Sequence, residues 1–218
     1  MKRPEICAVI VERDLNGLKR VEGLVDLFEV RIDLIGSGWS QVIEKLHKPW
    51  IASNRTIADG GKWRGSEEKR ISELIKAAEM GAEIIDIELG AKGLEYIRPM
   101  IKNKAKLLIS FHDWESTQSP KNLSKIVQRQ LAEGADICKI VTTARKFEDN
   151  ITVLKLIASF PAAKVVSFAM GEAGIVSRIL SPLAGGYFTY AAIKEGSESA
   201  PGQITAEEMR SIYRQIKL

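Results

Sequence analysis

The sequence contains few cysteines and few histidines. Only two cysteines occur in 218 residues, Cys7 and Cys138, and both lie in apolar segments. This number is too small for a disulfide-stabilised secreted fold. No group of Cys, His and carboxylate residues has the spacing of a metal site. We therefore predict two reduced, buried thiols and no bound metal.

Long apolar runs are also absent. No uninterrupted apolar stretch approaches the roughly 18 residues that cross a bilayer, and residues 1–5 lead directly into a short strand-like run without the apolar core of a signal peptide. These observations predict a cytoplasmic protein that does not bind membranes.

The charge is mildly basic and is not segregated. The net charge is +4 and the sequence pI is about 9.0, but acidic and basic residues are interspersed, as in residues 67–70. A nucleic-acid footprint requires clustered basic residues, so we predict no nucleic-acid partner. A local basic site for a small anionic molecule stays open. The basic pI is the only support for a non-catalytic barrel or a nucleic-acid-binding protein.

Short apolar runs alternate with helical patterns along the whole chain. Eight strands, each followed by a helix and without a long linker, are typical of an α/β protein of the (β/α)8 TIM-barrel class, here a single domain over residues 1–218. The alternative is a doubly wound open sheet, which usually has fewer strands and a Gly-rich turn after the first one; that turn is absent. The predicted strands are residues 6–11, 27–33, 50–55, 82–89, 106–112, 137–143, 164–170 and 187–193. The predicted helices are residues 15–25, 39–48, 66–81, 92–103, 119–134, 147–160 and 175–183, and a last one that begins at Thr205.

The strand at residues 137–143 contains one charged residue, Lys139, among apolar neighbours. A lysine in such a strand either extends its head to solvent or points into a site. A buried ammonium without a partner is disfavoured, and the neutral amine is a nucleophile that forms Schiff bases with carbonyl substrates. Spacing alone favours the solvent-reaching lysine, so the choice depends on the rest of the chain.

Polar residues at the carboxyl ends of barrel strands are catalytic candidates because those ends meet at one mouth. Period two places Glu29, Arg31 and Asp33 on one face of the second strand, where three charges either pair with one another in a polar layer or hold a polar ligand. The other candidates at predicted strand ends or in the loops beyond them are Arg55, Asp59, Asp86, Glu88, His112, Met170, Arg178, Ser199 and Gln203.

His112 is the more informative of the two histidines. It ends a buried strand next to the strand of Lys139, whereas His47 lies near a helix end, where a surface role explains it. A histidine at a strand end is often structural. An imidazole beside an amine nucleophile, however, is the pair that removes a proton from the carbon next to an iminium.

Seven short segments together resemble type I 3-dehydroquinate dehydratases, which form a Schiff base in the shikimate pathway of aromatic amino-acid biosynthesis. Each segment alone is a weak signal, but all seven occur in the family's order and at predicted strand ends or in the loops beyond them. The segments are residues 29–33, 55–61, 85–89, 110–113, 134–140, 170–178 and 199–203.

The resemblance implies a (β/α)8 barrel and three catalytic residues. Lys139 would form the imine with the C3 ketone of 3-dehydroquinate, and His112 would take a proton from C2 and return it to the departing C1 hydroxyl. Asp59 stands where the family commonly has Glu, which orients the histidine. The shorter side chain of Asp59 leaves open whether the contact is direct or bridged by water.

The resemblance also implies the residues that bind substrate. Glu29 and Arg31 would hold the ring hydroxyls, with Arg55 beside them. Arg178 would pair with the carboxylate, since guanidinium suits a bidentate grip on carboxylate. The remaining predicted substrate contacts are Ser199, Gln203 and Met170.

The resemblance implies no cofactor, and because family members are often dimers it allows a homodimer. The loops at residues 58–65 and 194–202 are candidates to close over the substrate. Another Schiff-base barrel of the class I aldolase type, acting on a small carbonyl acid, is the alternative function. An aldolase of sugar phosphates would require a phosphate site where Arg178 and the Pro-Gly-Gln loop lie.

Overall fold

A computed structural model describes residues 3–216; the outer ends of the predicted domain, residues 1–2 and 217–218, lie outside the described residues. Eight β-strands alternate with helices along the chain. The strands are β1 (Ile6–Ile10), β2 (Leu27–Arg31), β3 (Trp50–Ser53), β4 (Ile84–Glu88), β5 (Lys106–His112), β6 (Ile137–Thr143), β7 (Val165–Met170) and β8 (Thr189–Ala192).

The strands form one parallel sheet that curls into a nearly closed barrel. The order is β7-β6-β5-β4-β3-β2-β1-β8, so consecutive strands from β1 to β7 are neighbours and β8 pairs with β1. At the junction of β7 and β8, the backbone N–H of Tyr187 donates to the carbonyl of Val165 at 2.8 Å. The (β/α)8 barrel predicted from the sequence is confirmed, and the open doubly wound sheet is excluded.

Two apolar layers stabilise the barrel, one on each side of the sheet. Period-two alternation sends one set of strand residues inward and the other outward against the helices. The outer layer includes Ile85, Ile109 and the helix residue Leu74. The inner layer consists of Cys7, Val9, Leu27, Ile51, Ile84, Leu108, Ile137, Val141, Val166, Phe168, Met170, Phe188 and Tyr190.

Four of the α-helices within residues 3–216 begin at a capping side chain. The Ser66 hydroxyl accepts the backbone N–H of Lys69, and Thr205 forms a reciprocal capping box with Glu208. None of the helices within residues 3–216 is long and apolar enough to cross a membrane. The helices are α1 (Leu15–Val21), α2 (Ile32–Ile35), α3 (Trp39–Ile43), α4 (Glu67–Glu79), α5 (Leu94–Ile101), α6 (Pro120–Ala132), α7 (Glu148–Ala158), α8 (Ile175–Leu180) and α9 (Ala206–Gln215).

Strand β2 is shorter than predicted, and this corrects the placement of Asp33. The strand ends at Arg31, and the chain turns at once into α2, which contains Asp33. The side chain of Arg31 then folds onto Asp33 with two hydrogen bonds, of 2.9 and 2.8 Å. Asp33 is therefore the counter-ion of Arg31 beyond the strand and not a third inward strand residue.

Candidate active site

One cavity at the carboxyl ends of the strands contains most of the predicted site residues. Of the ten residues to which the family resemblance gives a role, nine line it, and the exception is Asp59. The roles given to these residues stay predictions, since shared position does not test them. The nine are Glu29, Arg31, Arg55, His112, Lys139, Met170, Arg178, Ser199 and Gln203.

Lys139 points into the barrel and is ion-paired. Its Nζ donates to Asp86 Oδ2 at 2.8 Å and lies 3.5 Å from Glu29 Oε1, and the residue is only 4% exposed. The alternative of a lysine head in solvent is therefore wrong. Lys139 is buried with two carboxylate partners, so the case of a buried ammonium without a partner does not apply.

Asp86 joins Lys139 to Arg55. Its Oδ2 accepts from Arg55 Nη2 at 2.7 Å, and its Oδ1 accepts from the Ser110 hydroxyl at 2.6 Å. Burial would raise the pKa of Asp86, but the charges of Arg55 and Lys139 outweigh that effect and hold the pKa well below its usual range. Asp86 is therefore ionised and fixes the relative positions of two cations in the barrel.

Glu88 extends this ion-pair network outward to the helical layer. Its Oε1 accepts from Arg55 Nη1 at 3.2 Å, and its Oε2 accepts from Arg70 Nη1 at 2.7 Å. Arg70 belongs to α4 and also forms two hydrogen bonds to Glu67, of 2.7 and 2.9 Å. The position of Arg55 thus depends on a helix that packs outside the barrel.

His112 lies beside Arg55 and next to the strand of Lys139. Its Nδ1 is 3.3 Å from Arg55 Nη1, and Ser110, two residues earlier in β5, is paired in register with Lys139. Burial lowers the pKa of His112 well below its usual value, and the charges of Arg55 and Lys139 lower it further. The imidazole is therefore neutral at physiological pH and able to accept a proton.

Arg178 differs from the other cations of the cavity because it has no counter-ion within residues 3–216. It is 1% exposed, and its guanidinium carbon lies 4.4 Å from the centre of the Phe168 ring. Its Nε and Nη2 atoms make no hydrogen bond within the same residues. Burial lowers its pKa to about 10, so the side chain is still cationic at neutral pH. A buried cation without a partner suits an anionic ligand.

The last loop, which joins β8 to α9, brings Ser199 and Gln203 to the cavity. Gln203 Oε1 accepts from the backbone N–H of Ser199 at 2.7 Å. The loop packs closely on the turn after β7, where Gly171 N–H donates to the carbonyl of Pro201 at 3.1 Å. Gly202 has φ +71°, and a Cβ there would lie 2.3 Å from the carbonyl oxygen of Gly171. Glycine is thus required at the point of contact.

Asp59 does not make the direct contact with His112, one of the two arrangements that the sequence left open. It ends a short 3-10 helix, Ile57–Asp59, and its Oδ2 accepts from the Thr56 hydroxyl at 2.8 Å. Within residues 3–216 it forms no hydrogen bond with His112. A carboxylate one methylene shorter than Glu is held locally by its own loop. The next residue, Gly60, lines the cavity and packs against the ring of Trp114.

The sequence interpretation did not assign a role to several aromatic residues of the cavity. Trp114 lies beside His112 with ring centres 6.3 Å apart and an angle of 20° between the planes. The ring of Tyr190 lies below Lys139, with Nζ 4.3 Å from its centre. Period two along the predicted strand, residues 187–193, would have placed Tyr190 on the same face as Phe188. The contact between Tyr190 and Lys139 joins two strands across the barrel, and the sequence pattern does not predict it.

In the part of the chain that the structure describes, no group of three or more His, Cys, Asp or Glu side chains could hold a metal ion. The charged groups that converge on the cavity instead pair with one another, except for Arg178. The arrangement therefore offers an amine, a neutral imidazole and an anion site within one enclosure, which is the set required for imine chemistry on a carboxylated carbonyl compound.

Comparison with known proteins identifies relatives along the whole chain. A 3-dehydroquinate dehydratase of Dehalococcoides mccartyi is 43% identical over 99% of this chain and 97% of its own length. The corresponding protein of Methanocaldococcus jannaschii is 36% identical over 95% of both chains. Residues 6–218 match the sequence model of the family described as Type I 3-dehydroquinase.

The chain belongs to the type I 3-dehydroquinase family. The resemblance stated from the seven segments is therefore confirmed, as is the prediction of a hydro-lyase that acts on 3-dehydroquinate.

Solved structures confirm the fold. A type I 3-dehydroquinate dehydratase from Clostridium difficile with a covalently modified comenic acid has a TM-score of 0.86 at 22% identity, over 99% of this chain and 93% of its own. The 3-dehydroquinate dehydratase of Aquifex aeolicus has a TM-score of 0.82 at 24% identity, over 97% of this chain and 98% of its own. An aldolase also shares the fold, with a TM-score of 0.58 at 13% identity, over 100% of this chain and 97% of its own.

Proposed function

We propose that this site removes water from 3-dehydroquinate through an imine on Lys139, in the biosynthesis of aromatic compounds. The dehydration follows from the family, while the roles of individual residues are our assignment. The observation that carries the assignment is the joint presence of Lys139 and the unpaired cation Arg178 in one cavity. An amine for the ketone and a guanidinium for the carboxylate together select a ketoacid.

The reaction begins with the amine of Lys139. The amine adds to the C3 carbonyl and expels its oxygen as water, which leaves a protonated imine. The positive nitrogen acidifies the C2 proton, which the neutral His112 removes. The electron pair of the C2–H bond moves toward nitrogen and gives an enamine. The enamine expels the C1 hydroxyl, which leaves as water with the proton from His112. Hydrolysis of the imine then releases the product and restores the amine.

Substrate placement follows from the remaining residues of the cavity. Arg178 pairs with the carboxylate, and Gln203, whose Oε1 is occupied by Ser199, offers its amide N–H groups beside it. Glu29 and Arg31 hold ring hydroxyls, and both side chains are fixed by a neighbour. Glu29 accepts a hydrogen bond from the Ser53 hydroxyl at 2.7 Å, and Arg31 forms an ion pair with Asp33. Met170 provides apolar contact on the wall of the cavity.

Reductive trapping tests the assignment directly. The protein is incubated with 3-dehydroquinate, treated with borohydride, and examined by intact mass and peptide mapping. We expect one adduct, on the peptide that contains Lys139. Lys139→Ala should abolish both the adduct and turnover, while Lys106→Ala, which removes an exposed lysine paired with Glu83, should change neither. Wild-type turnover in the Lys139 variant would overturn the assignment.

His112 has a separate test. We expect His112→Ala to lower kcat by about 10²–10⁴-fold, the usual contribution of a general acid or base, while trapping on Lys139 persists.

No observation on this chain favours the aldolase alternative. Product analysis with an aldol substrate would reveal it as cleavage in place of dehydration. The homodimer and the cytoplasmic location also stay predictions; sedimentation equilibrium and cell fractionation test them.

A further inference from the structure

Tyr190 contacts the reacting nitrogen with the face of its aromatic ring. Lys139 Nζ lies 4.3 Å from the ring centre, well within the distance at which a cation is attracted to a π face. Tyr190 is 3% exposed, so water does not screen this attraction strongly. The ring is held by Phe188, whose centre is 5.4 Å away at 71°, and by Phe168 at 6.0 Å and 60°. The position of the ring is thus fixed by packing from the inner layer.

The hydroxyl of Tyr190 does not explain the residue's position. Its oxygen is buried and has no hydrogen-bond partner within residues 3–216. Burial raises the pKa of the phenol well above its usual value, so the ring stays neutral. The contact between Tyr190 and the active site is therefore made by the ring face.

Imine formation conserves the positive charge on Nζ but removes most of its hydrogen-bond donors. An ammonium and a ketone combine to give a protonated imine and one water, and the charge is +1 before and after. Two of the three N–H protons leave with the oxygen. The ammonium can donate to Asp86 while it lies near Glu29, whereas the iminium has one N–H group left. A ring face attracts a cation without requiring an N–H bond in a given direction.

We propose that Tyr190 is a further catalytic residue, whose ring face stabilises the iminium nitrogen that Lys139 forms with the substrate. The proposal rests on the assigned role of Lys139 and adds to it a partner that does not depend on hydrogen-bond geometry. Asp86 and Glu29 attract the nitrogen through a hydrogen bond and through opposite charge. The ring of Tyr190 attracts the positive charge itself, so this attraction remains after two of the three N–H donors are lost.

Graded ring substitution tests the proposal. Tyr190 is replaced by phenylalanine, by phenylalanines with one, two and three ring fluorines, and by leucine. Fluorine weakens the negative face of the ring with little change of shape. For each variant the fraction of Lys139 trapped by borohydride at saturating 3-dehydroquinate is measured, together with kcat, KM and the thermal unfolding midpoint.

We expect the trapped fraction and kcat of Tyr190→Phe to stay within about twofold of the wild-type values, since the ring face is kept. Trapped fraction and kcat should then fall step by step with each fluorine, and Tyr190→Leu should lose about tenfold or more relative to Tyr190→Phe. A packing role would instead leave the nearly isosteric fluorinated variants alike. The unfolding midpoints identify any variant whose loss reflects instability.

Two negative results are distinguishable. Equal trapping and equal kcat across the phenylalanine series, with Lys139 still modified, would overturn the role of Tyr190 alone. Absence of any adduct on Lys139 in the folded wild-type protein would overturn the Schiff-base assignment and with it the role of Tyr190.

Discussion

At the scale of the residue, Asp86 is the carboxylate that joins the two buried cations Lys139 and Arg55. It accepts hydrogen bonds from Lys139, Arg55 and Ser110, and it is 1% exposed. Asp86→Asn would leave two buried cations short of one negative charge. Removal of one partner from a buried ion pair usually costs 3–5 kcal/mol of stability. Since Glu29 and Glu88 remain nearby, we expect a loss of about 3 kcal/mol at neutral pH.

This loss should depend on pH in a defined direction. The pKa of Asp86 is lower in the folded than in the unfolded protein, so its contribution is complete above the unfolded value of about 3.9 and declines as pH falls below it. Urea unfolding at a series of pH values measures the difference between wild type and variant. Glu83→Gln, in an exposed pair, is the control, with an expected change below about 1 kcal/mol. A difference that grows below pH about 4 would contradict this argument.

Asp59 gives a second prediction at this scale. Because its carboxylate accepts from Thr56 and does not reach His112, we expect Asp59→Ala to change kcat by no more than a fewfold. Asp59→Glu adds the methylene that the family commonly has and should allow the contact, which steady-state kinetics would detect as an unchanged or higher kcat. A loss of 10²-fold or more in Asp59→Ala, of the order expected for a catalytic acid or base, would show that Asp59 acts on the reaction after all.

Residue types and periodicity predicted much of the site, but they could not predict pairings. The alternation of Asp86 and Glu88 on one strand shows that both point inward. It does not show that Asp86 binds Lys139 while Glu88 reaches Arg70 in the outer layer. Such contacts join residues that are distant in sequence, and side-chain length decides them. For the same reason, the family position of Asp59 could not decide between a direct and a water-bridged contact with His112, and its side chain instead accepts from Thr56.

At the scale of the element, the last loop depends on one glycine. Gly202 has φ +71° and approaches the carbonyl oxygen of Gly171. Gly202→Ala should displace the loop and with it Ser199 and Gln203, so we expect KM to rise about tenfold while trapping on Lys139 persists. A gain of tenfold in KM corresponds to about 1.4 kcal/mol of lost binding.

The same loop provides a matched control. Gly196 also has positive φ, +80°, but a Cβ there would meet no atom within 4 Å. Gly196→Ala therefore imposes similar backbone strain without the clash, and its KM should match that of the wild type. Equal KM values for both variants would show that contact with Gly171 does not position the loop.

Element ends were the least predictable part of the chain. Apolar runs predicted all eight strands, because strands buried on both faces are apolar throughout. The second strand was nevertheless predicted to run through Asp33, since its alternation continues into α2. Charged residues at period two fit an extended strand and a short turn of helix equally well. The chain turns after Arg31, where the Arg31–Asp33 pair forms.

At the scale of the whole molecule, the count of strand and helix units was enough to predict the barrel, because few folds place eight parallel strands in one chain without long linkers. The barrel in turn explains why residues from most of its strands reach one cavity. What the count could not predict is charge balance inside the cavity, which leaves Arg178 as a cation without a counter-ion among residues 3–216.

The unpaired charge of Arg178 and the net charge of +4 both affect substrate capture. Both attract an anionic substrate, and salt screens the attraction over a Debye length of about 10 Å at 0.1 M. We expect kcat/KM to fall a fewfold as NaCl rises from about 0.01 to about 0.3 M, with kcat nearly constant, because steps after binding involve buried groups that salt screens weakly. In Arg178→Gln the dependence should be shallower, because the local part of the attraction is gone. Salt-independent kcat/KM in the wild type would mean that long-range attraction does not assist substrate capture, and equal slopes in both proteins would mean that the charge of Arg178 adds nothing to that attraction.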